Sequence, residues 1–433
     1  MSISSSLNAG VSGLNANAQR LSTISDNIAN SGTYGYRRAE TDFHSIVIDG
    51  RSGGRYAAGG VRTSTIRLID ERGTLTGTSN PTDLAISGRG MLPVTTVTDV
   101  ANGGSQRLSL TPTGSFRPDD RGFLTSPSGL VLMGWPADGD GNIGAFPRDT
   151  VASLEPIQVD VRRLEGLATS RIELGVNLPA TQTIAGAPGA AQSTAVEYFD
   201  NLGASQRLNV TFTPSVPAAG ASNTWTMTVR DGAQADARIA EYTVEFDPSR
   251  ANGGALLDVT AVSGAAYDPR TGVIPLTVAG GPIDLDIGRF GQLSRLTQLS
   301  NSFSADGISK NGAPVGNLVD VEVDGAGIMS AVYDTGFTRA IYQIPVADVP
   351  NPNALTVGDN QTYEVSAGSG SFFLWNAGEG PTGEMVGFAR EESTTDVAAE
   401  LTQLIQTQRA YSSNAKVIQT VDEMLQETTN IKR

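Results

Sequence analysis

Cysteine is absent from the 433 residues, and histidine occurs once, at position 44. Without cysteine there can be no disulfide, no zinc–thiolate centre and no thiol nucleophile. That absence fits chance or a reducing compartment, and it fits equally a chain that must cross compartments unfolded without cross-linking. His44 stands alone, so a Ser–His–Asp triad has little to be built from. Charge is sparse, at 17% of residues, and the net charge is −15. An acidic chain of this kind argues against nucleic acid or an anionic membrane as a partner. No run of apolar residues is long enough to cross a bilayer. Residues 1–30 lack the basic start, apolar core and small-residue cleavage site of a secretory leader. If the chain leaves the cell, it is expected to leave by another route.

Glycine (50) and proline (21) are plentiful. That composition suits short strands and tight turns, and the length suits two to four domains. The two ends break the pattern. Leu7, Val11, Leu14, Ala18, Leu21 and Ile28 alternate spacings of four and three, with a gap at Ser25, which predicts a helix with a heptad seam about 33 Å long. Asn30 and Gly32 stand where a helix C-cap is expected. At the other end Val397, Leu401, Leu404, Ile405, Tyr411, Ala415, Ile418, Val421, Leu425 and Ile431 also fall at helical spacing. Acidic residues from Glu391 to Glu400 crowd the start of this helix and Lys432 and Arg433 close it, as a helix dipole favours. Ser393, Thr394 or Thr395 is the expected cap. Neither seam can be buried by its own helix, so each needs the other terminus or neighbouring copies.

Between the ends, segments such as "LNVTFTP", "WTMTVRD" and "EYTVEFDP" alternate with period two and read as strands. The expected fold is mainly β and multidomain, with a long α-helical coiled coil formed by the two termini and with nested, discontinuous domains. Residues 1–30 plus 397–433 are the terminal helical domain, and 31–72 plus 386–396 an extended connector. Residues 73–150 plus 296–385 form an inner β domain, into which 151–295 is inserted as an outer β domain.

Candidate chemistry is thin. "DGDGNIGAFPRD" places Asp138, Asp140 and Asn142 at the first, third and fifth positions of a calcium loop. Ile143 then stands where glycine is needed, Asp149 where glutamate is usual, and no helices flank it, so a β-turn is the better reading. "GSGSFF" lacks the dinucleotide fingerprint, and no phosphate loop exists. Arg37 and Arg38 are an anion site at most, or interface residues. No catalytic, cofactor-binding or metal-binding residue is assigned, and no enzyme activity is expected.

The stretch "LNAGVSGLNANAQRLSTISDNIANSGTYGYRR" resembles the N-terminal signature of the bacterial flagellar axial family, the rod, hook and hook-associated proteins. Asn27-Ile28-Ala29-Asn30 lie at its heart. "ELTQLIQTQRAYSSNAKVIQTVDEMLQETTNIKR" resembles the C-terminal signature, most closely at Gln408-Arg409-Ala410-Tyr411, Asn414 and Asp422-Glu423-Met424-Leu425. "SNPTDLAISGRGML", "LTPTGSFRPDDRGFLTSPSGLVLMGWPAD" and "YQIPVADVPNPNAL" resemble internal blocks of the hook members. Val349 replaces an aromatic residue there, and the middle of the chain carries no match. The resemblance implies a structural subunit that self-assembles into a curved, flexible tube, transmits motor torque and encloses an export channel. It implies a helical homopolymer, with distal rod subunits, a hook-cap protein, hook–filament junction proteins and the flagellar type III export apparatus as further partners. The implied location is the extracellular flagellum, without a cleaved leader. The terminal residues expected to carry polymerisation are Leu7, Val11, Leu14, Leu21, Ile24, Asn27, Ile28 and Asn30, with Leu401, Leu404, Ile405, Gln408, Arg409, Tyr411, Asn414, Ile418 and Leu425. Two other readings remain beside this one: a distal rod or hook-associated axial protein, and a secreted β-rich polysaccharide hydrolase.

Overall fold

A computed structural model describes residues 3–46, 59–103, 107–139, 141–160 and 165–431. Part of the expected connector (47–58), Asp140 of the acidic turn, and Lys432 and Arg433 lie outside the described residues. The chain is mainly β, with a long helix at each end. Helix α1 spans Ile3–Ala29, α2 is the short Val97–Asn102, and α3 spans Val397–Ile431. At 1.5 Å per residue, α1 and α3 run about 40 and about 52 Å.

Clustering of contacts divides the chain into two units, Met1–Val161 with Asp320–Val332 and Thr338–Arg433, and Arg162–Val319 with Tyr333–Phe337. In the first unit α1 and α3 pack together beside a hairpin of β1 (Ala39–Ser45) and β2 (Val61–Arg67). The chain then enters short antiparallel sheets. In one of them Thr338–Gln343, Leu130–Pro136, Leu92–Thr96, Ser109–Thr111, Tyr363–Glu364 and Thr356–Val357 are successive neighbours. Leu130–Pro136 is buried along nearly its whole length, as its unbroken apolar run requires.

The second unit holds two five-stranded sheets. One is a meander of Gln192–Phe199, Ser205–Pro214, Thr224–Asp231, Ala237–Phe246 and Leu256–Ser263. Alternate residues face inward, so Phe212, Trp225 and Tyr242 share one core with Leu174, Ile274 and Leu285 of the other sheet. In that second sheet Arg171–Leu178 pairs in parallel with both Gly281–Asp286 and Leu296–Gln298.

This pairing corrects the expected return to the inner β domain at residue 296. Leu296–Gln298 and Ser304–Lys310 both hydrogen-bond to Arg171–Leu178, so residues 296–319 belong with the second unit. Its start is likewise later than residue 151, since Glu155–Pro156 pairs with Leu130–Pro136 of the first unit.

Candidate assembly site

Helix α1 carries two different faces. Gly10, Gly13, Asn17, Arg20, Ile24 and Asn27 repeat at spacings of three and four, and this small and polar stripe turns toward α3. A Cβ on Gly10 would lie 3.1 Å from Ile418 Cγ1, and one on Gly13 would lie 2.7 Å from Asn414 Nδ2. Larger residues would hold the helices apart. Further along, Arg20 Nη2 donates to Gln403 Oε1 (3.4 Å), and Asn27 Nδ2 donates to Glu400 Oε1 (3.1 Å). Residue numbers rise on one helix as they fall on the other, so the pair is antiparallel. On the hairpin side, the Thr23 and Thr41 hydroxyls lie 2.8 Å apart, and Ser12 Oγ accepts from the Val61 N–H (3.2 Å).

The Asn27 end is the most heavily bonded. Asn27 is 1% exposed. Its amide donates to Ala39 O (2.8 Å) and Glu400, while its Oδ1 accepts from Ala39 N–H (2.9 Å) and the Tyr36 hydroxyl (3.2 Å). Tyr36 also donates to Asp26 Oδ2 (2.9 Å), and burial first, then that bond, pushes its pKa up to about 12. The chain can turn back this way because α1 ends in tightened bonds, Ser31 N–H to Ile28 O and Thr33 N–H to Asn30 O. The left-handed residue of the turn is Gly35 (φ 71°), not Gly32. A side chain at Gly35 would meet Pro112 and Thr113 at 3.0 Å.

Glu400 is a costly partner. It is 3% exposed, and its Oε2 has no hydrogen-bond partner. Burial raises its pKa; Asn27, Arg38 and Arg20 act against the rise and Glu40 adds to it. Glu400 does not merely serve the helix dipole. The N-cap of α3 is Asp396, whose carboxylate accepts from the Ala398 (2.9 Å) and Ala399 (3.2 Å) N–H groups. The expected caps are occupied otherwise: Thr394 Oγ1 accepts from Arg38 N–H (2.8 Å), and Ser393 Oγ from Thr395 N–H (3.2 Å).

Arg37 and Arg38 differ in environment. Arg37, 3% exposed, is held by both carboxylate oxygens of the equally buried Glu391, 354 positions away in sequence. Glu391 also accepts from Gly73 N–H (2.6 Å) and ends the strand Ala389–Glu391, which pairs with Leu75–Gly77. Arg38 is half-buried and bonds Glu71 at 2.7 Å. His44 lies on the exposed hairpin against Ser64 (2.7 Å). Asp138 accepts from the Asn142 N–H (2.8 Å) within its own turn.

Ile24 and Asn27 are buried against neighbours within the chain, while Leu7, Leu14, Leu21, Ile28 and Asn30 are half-buried. Val11 is 43% exposed. On α3, Leu404, Asn414 and Ile418 are half-buried. Leu401 (46%), Ile405 (51%), Tyr411 (40%) and Leu425 (38%) remain exposed, as do Gln408 and Arg409. Gly10, Gly13, Glu391 and Glu400 went unassigned from sequence. Gly10 and Gly13 repeat in step with the apolar stripe, each one residue before Val11 and Leu14, and small residues counted as seam positions would have revealed them.

Segments at both ends and in the second unit match known family models. Residues 7–37 match "Flagella basal body rod protein", 170–313 "Flagellar basal body protein FlaE D2 domain", and 387–431 "Flagellar basal body rod FlgEFG protein C-terminal". The chain is 33% identical over 440 residues to the flagellar hook protein FlgE of Brucella suis, with 100% of both chains covered. It is 33% identical over 443 residues to FlgE of Rhizobium meliloti, again with 100% of both covered. It is 27% identical over 437 residues to FlgE of Escherichia coli, with 98% of each covered. Identity at this level along the whole length, with both termini and the second unit matched separately, shows that the chain belongs to the flagellar hook protein family, as a structural subunit of the hook and not an enzyme.

Proposed function

We propose that α1 and α3 together polymerise the chain through the apolar surface that their mutual packing leaves uncovered. The supporting observation is the angular separation of the two faces of α1. With 100° per residue, the stripe of Leu7, Val11, Leu14 and Leu21 lies roughly 85° around the helix from the Gly10–Gly13 seam. Val397, Leu401 and Ile405 are likewise exposed on α3. A helix pair that keeps its small residues for itself and presents its large ones outward is suited to neighbouring copies. In this reading the terminal helices form coiled-coil-like contacts in the inner wall of a tube, and torque passes through repeated copies of the helix pair. Rod subunits at the base, a cap during growth, junction proteins at the tip and a type III export apparatus are the further partners this arrangement calls for.

Val11→Asp and Ile405→Asp test the proposal. Each should leave the circular dichroism and thermal unfolding of the monomer as in the wild type. Each should abolish tubes in electron micrographs, because a carboxylate buried without a partner costs several kcal/mol in every subunit. Tubes at the wild-type threshold concentration would remove these faces from the assembly.

A further inference from the structure

A cavity of about 350 Å³ opens in the first unit among residues 69–72, 89–91 and 347–355. Buried Ile69, Leu110 and Leu355 give it an apolar wall. Three arginines, 37, 72 and 89, also line it. Two have partners. Arg89 Nε donates to Asp348 Oδ1 (2.6 Å) and its Nη2 to Val349 O (2.6 Å). Arg37 is held by Glu391, yet its buried Nε–H has no acceptor. Arg72 has neither a hydrogen bond nor an ion pair among the described residues. Arg72 is exposed at the mouth of the cavity; partial desolvation first, then the Arg37 and Arg89 charges, hold its pKa below the ordinary arginine value, against the pull of Glu391 and Asp348. Asp70 also lines the opening, with its backbone N–H on Asn353 Oδ1 (3.0 Å).

An arginine without an anion beside an apolar wall matches one kind of ligand. The planar guanidinium takes a carboxylate through two parallel N–H bonds, and the wall takes a short hydrocarbon body. We propose that this cavity binds a carboxylate on a short apolar body, with Arg72 as the receiving fork beside the ion-paired Arg37 and Arg89. The carboxylate comes either from a free organic acid or from an acidic side chain of a neighbouring copy. The site is remote in sequence from the apolar stripe of α1, and its failure would leave the helix-mediated assembly standing.

Butyrate is the probe, added to the full-length monomer and followed through the arginine Nε–Hε resonances, with sodium chloride at matched ionic strength as control. A saturable shift of the Arg72 resonance is expected with butyrate and not with chloride. Arg72→Gln should abolish the response at the other cavity arginines without lowering the thermal midpoint. No saturable shift, or an unchanged response at Arg37 and Arg89 in Arg72→Gln, overturns the proposal. Assembly then separates the sources. If butyrate raises the threshold concentration for tubes in the wild type but not in Arg72→Gln, the ligand is the neighbour's acidic side chain. If the shift persists while assembly ignores butyrate, it is a free organic acid.

Discussion

At the residue scale, two buried carboxylates hold the termini together in opposite ways. Glu391 meets a full guanidinium, so removing it leaves Arg37 buried and unpaired. Glu391→Ala should cost about 3–5 kcal/mol in denaturant titrations, and Glu391→Gln should recover only part of that. Glu400 meets one neutral amide and keeps one oxygen orphaned. Its pKa is raised in the folded chain, so its proton is held more tightly there than in the unfolded chain. Its favourable contribution is therefore present below the unfolded value and is lost as pH rises through the folded one. Glu400→Gln keeps the shape and removes the charge. The variant should be more stable than the wild type at neutral pH and equal to it in mild acid, and thermal midpoints across that range would check the crossing. A wild type that gains stability from this site on going to neutral pH would contradict the burial argument.

At the element scale, periodicity revealed the helices but not how they meet. The large apolar residues of α1 define a clear stripe, and a reading weighted by hydrophobicity takes that stripe as the seam. The seam within the chain is made instead of Gly10, Gly13 and Asn17, because close approach of two backbones needs small residues. Strands were legible wherever residues alternated, as in Thr224–Asp231, where Trp225, Met227 and Val229 all face the core. Pairing across long separations was not. The Arg37–Glu391 contact leaves no mark at either position in a single sequence. The parallel pairing of Arg171–Leu178 with Leu296–Gln298 likewise cannot be read from either strand, and the domain border moved for that reason.

At the scale of the whole molecule, the second unit carries a core of its own. Trp225, Tyr198, Tyr242, Phe212 and Phe246 are all essentially inaccessible within it. A polypeptide of residues 165–319 should therefore fold alone and unfold in a single cooperative calorimetric transition, since a β domain of this size buries enough surface to be independent. A broad transition without a heat-capacity peak would mean that its stability depends on the rest of the chain. Family membership makes the molecule one brick among many, so a unit that folds on its own can vary without disturbing the termini.

The bonds between the two terminal helices are not spread evenly. Arg20–Gln403 and Asn27–Glu400 bridge the helices at one end of the antiparallel pair, and Thr23 and Asn27 tie that same end to Thr41, Ala39 and Tyr36, whereas Gly10 and Gly13 lie close against the Ile418 and Asn414 side chains. Before assembly the pair should thus behave like a clothes-peg, clenched at its spring and easily parted at its jaws. Amide hydrogen exchange of the monomer should be slowest around residues 20–29 and 397–407 and should quicken steadily toward residue 5 and residue 425. Val11, Val417, Met424 and Leu425 stand exposed at the jaws, so an arriving copy would be gripped at that end first and closed upon toward Leu401 and Ile405 at the spring.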